Sequence, residues 1–236
     1  MREKLIVRAA EMGIEISASQ ADGFAAFHEM LVDANAKTNL TRVPDDTDEA
    51  IDRNYLDCIA PVAGSLFAGA HTLIDVGAGA GFPGIPLSIM LPDVEVTLLD
   101  SLGKRVDFMA SVIRELGLNA RAVHLRAEEA GRQRNMRAAY DIAVSRAVAP
   151  LCVLAEFALP LVRIGGKMIA YKGPAWETEL SQAERALLLL GGRFRKAQDA
   201  DIPARNWAHV LLEIEKEAPT PEKYPRRPGM PEKRPL

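Results

Sequence analysis

The sequence predicts an α/β protein: a mostly parallel, doubly wound sheet closed by an antiparallel strand, with a small helical appendage in front of it. Two observations predict this. From the start to about Leu66 apolar residues recur at three- and four-residue spacing, with Phe24, Phe27, Met30, Leu31 and Ala34 on one helical face. Near Thr72 the rhythm changes to short β-rich runs alternating with longer amphipathic ones, the pattern of repeated βα units. At 236 residues the chain has room for one α/β domain and an appendage but not for two catalytic domains. The predicted division is 1–68 for the helical appendage, 69–217 for the main domain and 218–236 for a basic, Pro-rich tail.

In order, Ser19 is placed to cap a helix of the appendage. The main domain then reads as strand 72–76, helix 84–91, strand 95–99, helix 104–116 and strand 120–125. Strand 141–145, helix 151–162, strand 167–171 and helix 176–190 follow. Gly191 and Gly192 stand where a helix C-cap is expected. Apolar runs 193–197 and 209–214, separated by a Pro-containing turn, read as a closing antiparallel pair.

Formal charge is −3, which argues against a protein that coats a polyanion by bulk electrostatics and leaves only local basic patches. Cys58 and Cys152 form no C-x-x-C pair, so neither a disulfide framework nor a zinc site is expected, in keeping with a reducing cytoplasm. The first residues mix charges where a secretion signal needs an apolar run, and the richest apolar stretch, 151–162, is interrupted by Glu156 and Pro160. A cytoplasmic, membrane-free protein is the expectation.

The chemistry is carried by Leu73-Ile-Asp75-Val-Gly77-Ala-Gly79-Ala-Gly81-Phe82-Pro83-Gly84, a buried strand running into glycines and then a helix. In open α/β sheets ligands bind at the carboxyl ends of strands, and glycines let them approach the backbone. A dinucleotide site wants G-x-G-x-x-G with free amides at the helix start, yet the third glycine position here is Phe82, and Pro83 removes another donor. The D-x-G-x-G-x-G run instead resembles the first motif of class I methyltransferases, whose Rossmann-like fold binds S-adenosylmethionine. That cofactor carries an ammonium and a sulfonium rather than a phosphate, so Asp75 is placed where a cation goes. Asp100, ending the run Val96-Thr-Leu-Leu-Asp, stands where this architecture puts an acid for the ribose hydroxyls. Asp141, before the fourth strand, reads as structural.

Beyond the generic fold, Asn39-Leu-Thr, the stretch from Asp75 to Pro86, Leu98-Leu-Asp-Ser-Leu-Gly-Lys-Arg105, Ala127-Glu128, Ser145-Arg146-Ala147 and Lys172-Gly173 resemble the 16S ribosomal RNA guanine-N7 methyltransferases over nearly the full length. The resemblance implies that Gly77, Phe82 and Arg146 line the cofactor, with Ala127 and Glu128 at the adenine, and these join Asp75, Gly79 and Asp100 of the glycine loop and strand end in the expected cofactor site. It also implies Arg146 as the catalytic-site arginine on the substrate side. One departure stands out: Asn54 and Cys58 occupy positions where the family usually shows a histidine and a serine.

Guanine N7 presents a free lone pair at neutral pH, so its methylation needs alignment rather than a base. The residues agree, since Ser145-Arg-Ala-Val replaces the Asn/Asp-Pro-Pro-aromatic run of exocyclic-amine methylases, and Cys152 lies in an apolar helical run rather than a nucleophile's setting. Lys104, Arg105 and Lys172 are candidates for contacts to ribosomal RNA or a precursor small subunit, with a monomer as the expected state and no metal. The tail after Glu217 reads either as solvated chain or as a basic arm along RNA. A small-molecule or protein methyltransferase and a non-catalytic RNA-binding assembly factor stand as alternatives, separable by methyl incorporation into ribosomal RNA and by cofactor turnover.

Overall fold

The computed structural model describes residues 1–41, 44 and 46–236. Helices α1 (Arg2–Glu11) and α2 (Ala18–Thr38), the short α3 (Thr47–Ala50), a π-helical turn (Ile51–Leu56), α4 (Asp57–Ile59) and a 3-10 turn (Ala60–Ala63) form the appendage. The cap of α2 is Ser17, not Ser19. Its hydroxyl accepts from the Gln20 amide while Gln20 Oε1 accepts from the Ser17 amide, a reciprocal capping box that Ser19 has no glutamine to complete. The apolar face of α2 buries Phe24, Phe27 and Leu31, which are inaccessible to solvent. Phe27 packs on Phe82 with ring centroids 5.3 Å apart, so the appendage shares the core of the main domain rather than standing apart from it.

The main domain runs β1 (Thr72–Val76), α5 (Gly84–Met90), β2 (Glu95–Asp100), α6 (Gly103–Leu116), β3 (Ala120–His124), α7 (Ala127–Ala130), β4 (Tyr140–Arg146), α8 (Leu151–Ala158), β5 (Val162–Lys172), α9 (Trp176–Leu190), β6 (Gly192–Asp199) and β7 (Val210–Lys216). One seven-stranded sheet has the order β3-β2-β1-β4-β5-β7-β6, with β1 to β5 parallel and β7 antiparallel between β5 and β6. Strand order reverses between β1 and β4, the switch point at which open α/β sheets form a crevice beyond the strand ends.

Two boundaries differ from expectation by more than two residues. The helix expected over 151–162 ends at Ala158, because Pro160 has no N–H and disfavours helical backbone before it. The strand expected over 167–171 therefore begins at Val162. Asp141 is structural, as read: its carboxylate accepts the His71 and Thr72 amides at 2.7 and 2.9 Å and holds Arg163.

One of the two readings of the tail is corrected: it is not solvated chain, because residues 220–231 dock against α7, α8 and the loop after α7, and the short α10 (Met230–Lys233) follows, while Lys223, Arg227, Lys233 and Arg234 stay exposed. Arg226 clamps buried Glu156 through side chain and backbone at 2.6–3.1 Å, and Arg137 donates to the carbonyls of Thr220, Pro221 and Tyr224. Composition suggested solvation because the segment has few apolar residues. It is held instead by its own carbonyls, which sequence does not display. Among the described residues no helix is long and apolar enough to cross a membrane.

Candidate active site

The β1–α5 loop turns at glycines. Gly77 has φ +77°, and a Cβ there would come within 2.6 Å of Val148 Cγ2. Gly79 has φ +60° and faces open space, where a side chain would stand in the cleft's path. The cleft over this loop holds about 370 Å³ and is lined by Gly77, Gly79, Phe82, Asp100, Ala127, Glu128 and Arg146, all expected there, together with Arg105, Thr41 and Glu232.

Asp100 organises the cleft as well as facing it. Its Oδ2 accepts the Gly79 amide at 2.8 Å, its Oδ1 accepts the Leu102 amide at 2.9 Å, and Arg105 stands 3.5 Å away. Each oxygen keeps a second lone pair for a ligand hydroxyl. Glu128, only 3% exposed, accepts the backbone amide of Gly229 at 2.8 Å. Phe82 packs against Phe27 and Tyr55 and lies 5.3 Å beneath the Arg146 guanidinium.

Asp75 is the expected residue that the fold does not bring to the cleft. It is wholly buried under the loop, with Oδ2 accepting the Gly84 amide at 2.8 Å and Oδ1 without a partner. Burial pushes its carboxyl up to about 7, with the Gly84 bond and the Arg146 charge pulling back only in part. Its place is that of a loop anchor rather than a countercharge.

A second cavity of about 600 Å³ adjoins the first and shares Thr41, Arg146, Ala147 and Val148 with it. Arg146 Nη1 donates to the Arg53 carbonyl at 2.7 Å and to Asp57 Oδ2 at 2.8 Å, while Asp57 Oδ1 bonds His209 Nδ1 at 2.8 Å. Burial alone would raise the Asp57 carboxyl. The His209 bond and the Arg146 charge outweigh it and hold the group below the usual carboxylate range. Sequence reading missed Asp57 and His209 as site residues. Asp57 lies between Asn54 and Cys58, the two departures from the family pattern, whereas His209 is 152 residues further on and carried no signal.

The three candidates for RNA contact separate. Arg105 lines the first cleft, and Lys104 is exposed with its ammonium on the Thr38 carbonyl. Lys172 lines the second cavity, but its ammonium is held by Glu179 at 2.7 Å and the Ala149 carbonyl at 2.8 Å. Cys152 packs in the core, and burial drives the Cys58 thiol far up, away from thiolate.

A Rossmann-like sheet of this order, with its crevice over a D-x-G-x-G-x-G loop and an acid ending β2, defines the class I methyltransferase type. The solved [4+2]-cyclase SpnF superposes with TM-score 0.56 at 16% identity, over 85% of this chain and 96% of that one. Aeropyrum pernix fibrillarin, solved with natively bound S-adenosyl-L-methionine, gives 0.53 at 11% identity, over 67% and 72%. Both share the fold. The family model described as rRNA small subunit methyltransferase G matches residues 20–206. Proteins named ribosomal RNA small subunit methyltransferase G from Lactobacillus johnsonii and Clostridium botulinum are 41% and 44% identical, over 96% and 97% of this chain and 96% and 95% of theirs. The chain belongs to the rRNA small subunit methyltransferase G family.

Proposed function

We propose that the chain transfers the methyl group of S-adenosylmethionine to N7 of a guanine in 16S ribosomal RNA, acting as a cytoplasmic monomer on RNA or a precursor small subunit. The observation that carries this reading is the pair of adjoining cavities meeting at Arg146, one walled by the glycine loop and the other open beside it. The residues present fit the cofactor. The loop leaves open space over Gly79, Asp100 offers free lone pairs for ribose hydroxyls, and Ala127 and Glu128 line the same cleft and would meet the adenine.

When bound, S-adenosylmethionine supplies an electrophilic methyl on a sulfonium. The chain's own part is to align a base against it. Guanine N7 already carries its lone pair, so no side chain has to take a proton, and the catalytic task is proximity and orientation. Arg146 cannot act as a base, because a guanidinium stays protonated. Asp57 and the Arg53 carbonyl both engage Nη1, leaving Nη2 and Nε for guanine O6 or a phosphate while N7 remains open. Phe82 under the guanidinium fixes its plane by a cation–π contact.

The test is to incubate the purified protein and S-adenosylmethionine with small-subunit RNA from a strain lacking this activity, then map the product by mass spectrometry. A 7-methylguanine at one position is the expected product. Methyl groups on an exocyclic amine, or none in RNA, would refute the reading.

A further inference from the structure

The docked tail reaches the cofactor cleft, a consequence that its composition hides. Glu128 stands on α7, a helix of one turn, and among the described residues its carboxylate accepts the Gly229 N–H at 2.8 Å. Glu232, three residues further on, also lines this cleft, and Pro231 between them is buried. The preceding segment is tied down independently. Arg226 grips Glu156, which is inaccessible on α8, and Arg132 Nε donates to the Pro225 carbonyl at 2.9 Å. A Cβ on Gly131, just after α7, would come within 2.9 Å of the Pro225 ring, so tail and α7 are packed without slack.

A carboxylate on a single-turn helix has several rotamers, and one charge-assisted bond to a fixed amide selects among them. With Oε1 engaged by Gly229, Glu128 keeps Oε2 as an acceptor without a hydrogen-bond donor among the described residues. An acceptor fixed in this way distinguishes adenine, whose exocyclic amine donates, from hypoxanthine, whose carbonyl at the same place repels it.

We infer that residues 228–236 are a positioning element for cofactor recognition: the Gly229 amide fixes Glu128 so that it reads the adenine amine. The inference rests on the reading that Glu128 meets the adenine. It assigns to the tail a role in cofactor specificity, distinct from contact with RNA.

The test is calorimetric and needs no turnover. S-adenosylhomocysteine and its inosine counterpart are titrated into the full chain and into a chain ending at Arg227, which keeps the Arg226–Glu156 clamp. The full chain is expected to prefer the adenine ligand by about tenfold or more, the worth of one charge-assisted hydrogen bond. The shortened chain is expected to bind it about tenfold more weakly, with the preference collapsing to within about twofold. A second variant, with two glycines inserted between Arg227 and Pro228, keeps every side chain but displaces Gly229, and should lose the preference equally if the shortened chain fails to fold. A full chain without preference overturns the adenine role of Glu128 and the inference with it. A preference that survives in the folded variants overturns the inference alone and leaves Glu128 in place.

Discussion

Replacing Asp57 by asparagine tests the least expected part of the site. The carboxylate is 4% exposed and links two groups, His209 at one oxygen and Arg146 at the other, both at 2.8 Å. Asparagine keeps one acceptor oxygen, so it can serve one partner and turns an NH2 toward the other. Hydrogen bonds to charged groups contribute about 1.5–3 kcal/mol, and breaking a buried pair costs about 3–5 kcal/mol. The Arg146 side chain is 19% exposed, so solvent replaces little of the loss, and a stability decrease of about 2–4 kcal/mol at neutral pH is expected. The sign with pH follows from a carboxyl held below its usual range. Its contribution is present above the unfolded carboxyl's pKa and fades as pH falls through the lower folded value, so wild type and Asp57→Asn converge in acid. Urea melts at several pH values measure this. Cofactor affinity, by contrast, should change less than about threefold while single-turnover methyl transfer falls about a hundredfold, the scale of an ångström's misplacement of an aligning group. A variant as stable and as fast as wild type would show that Arg146 is not held by Asp57, and the account of the second cavity would fail.

Further outcomes follow from other groups. Asp75, raised from 3.8 to about 7 by burial, contributes stability that is fully present below the unfolded pKa and lost as pH rises through about 7. The upper bound is about 4 kcal/mol, so denaturation midpoints of wild type should fall between pH 5 and 8 while those of Asp75→Asn change less. Arg226→Ala leaves Glu156 buried without its counterion and should cost about 3–5 kcal/mol by chemical denaturation, against less than about 1 kcal/mol for Arg193→Ala in an exposed pair. Asp100→Ala should weaken S-adenosylmethionine binding by at least about tenfold in calorimetry, because it removes the proposed ribose acceptor and releases the Gly79 and Leu102 amides together. Single-turnover transfer should be nearly flat from about pH 6 to 8, since N7 needs no base; a single titration near neutrality would point to a different target atom.

Much of this was legible from the chain alone because it depends on local pattern. Apolar periodicity set the helices and strands, the glycine run set the crevice, and Asp100, Ala127, Glu128 and Arg146 lie at or just after strand ends, where that fold opens its crevice. Local pattern also misled. Asp75 is an acid that the motif offers to a ligand, but only the packing of α5 shows that the Gly84 amide has taken it out of the cleft. The tail was read from what it lacks, apolar side chains, whereas its docking depends on backbone carbonyls that every residue possesses and on arginines far away in sequence. His209 and Asp57 are brought together by β7 and the appendage, elements separated by most of the chain. The sequence by itself determined the architecture, the cofactor class and the family, since periodicity and contiguous motifs encode them. Which charges meet was decided only by the tertiary structure, because a hydrogen bond is a matter of distance in space, and spacing along the chain does not encode it.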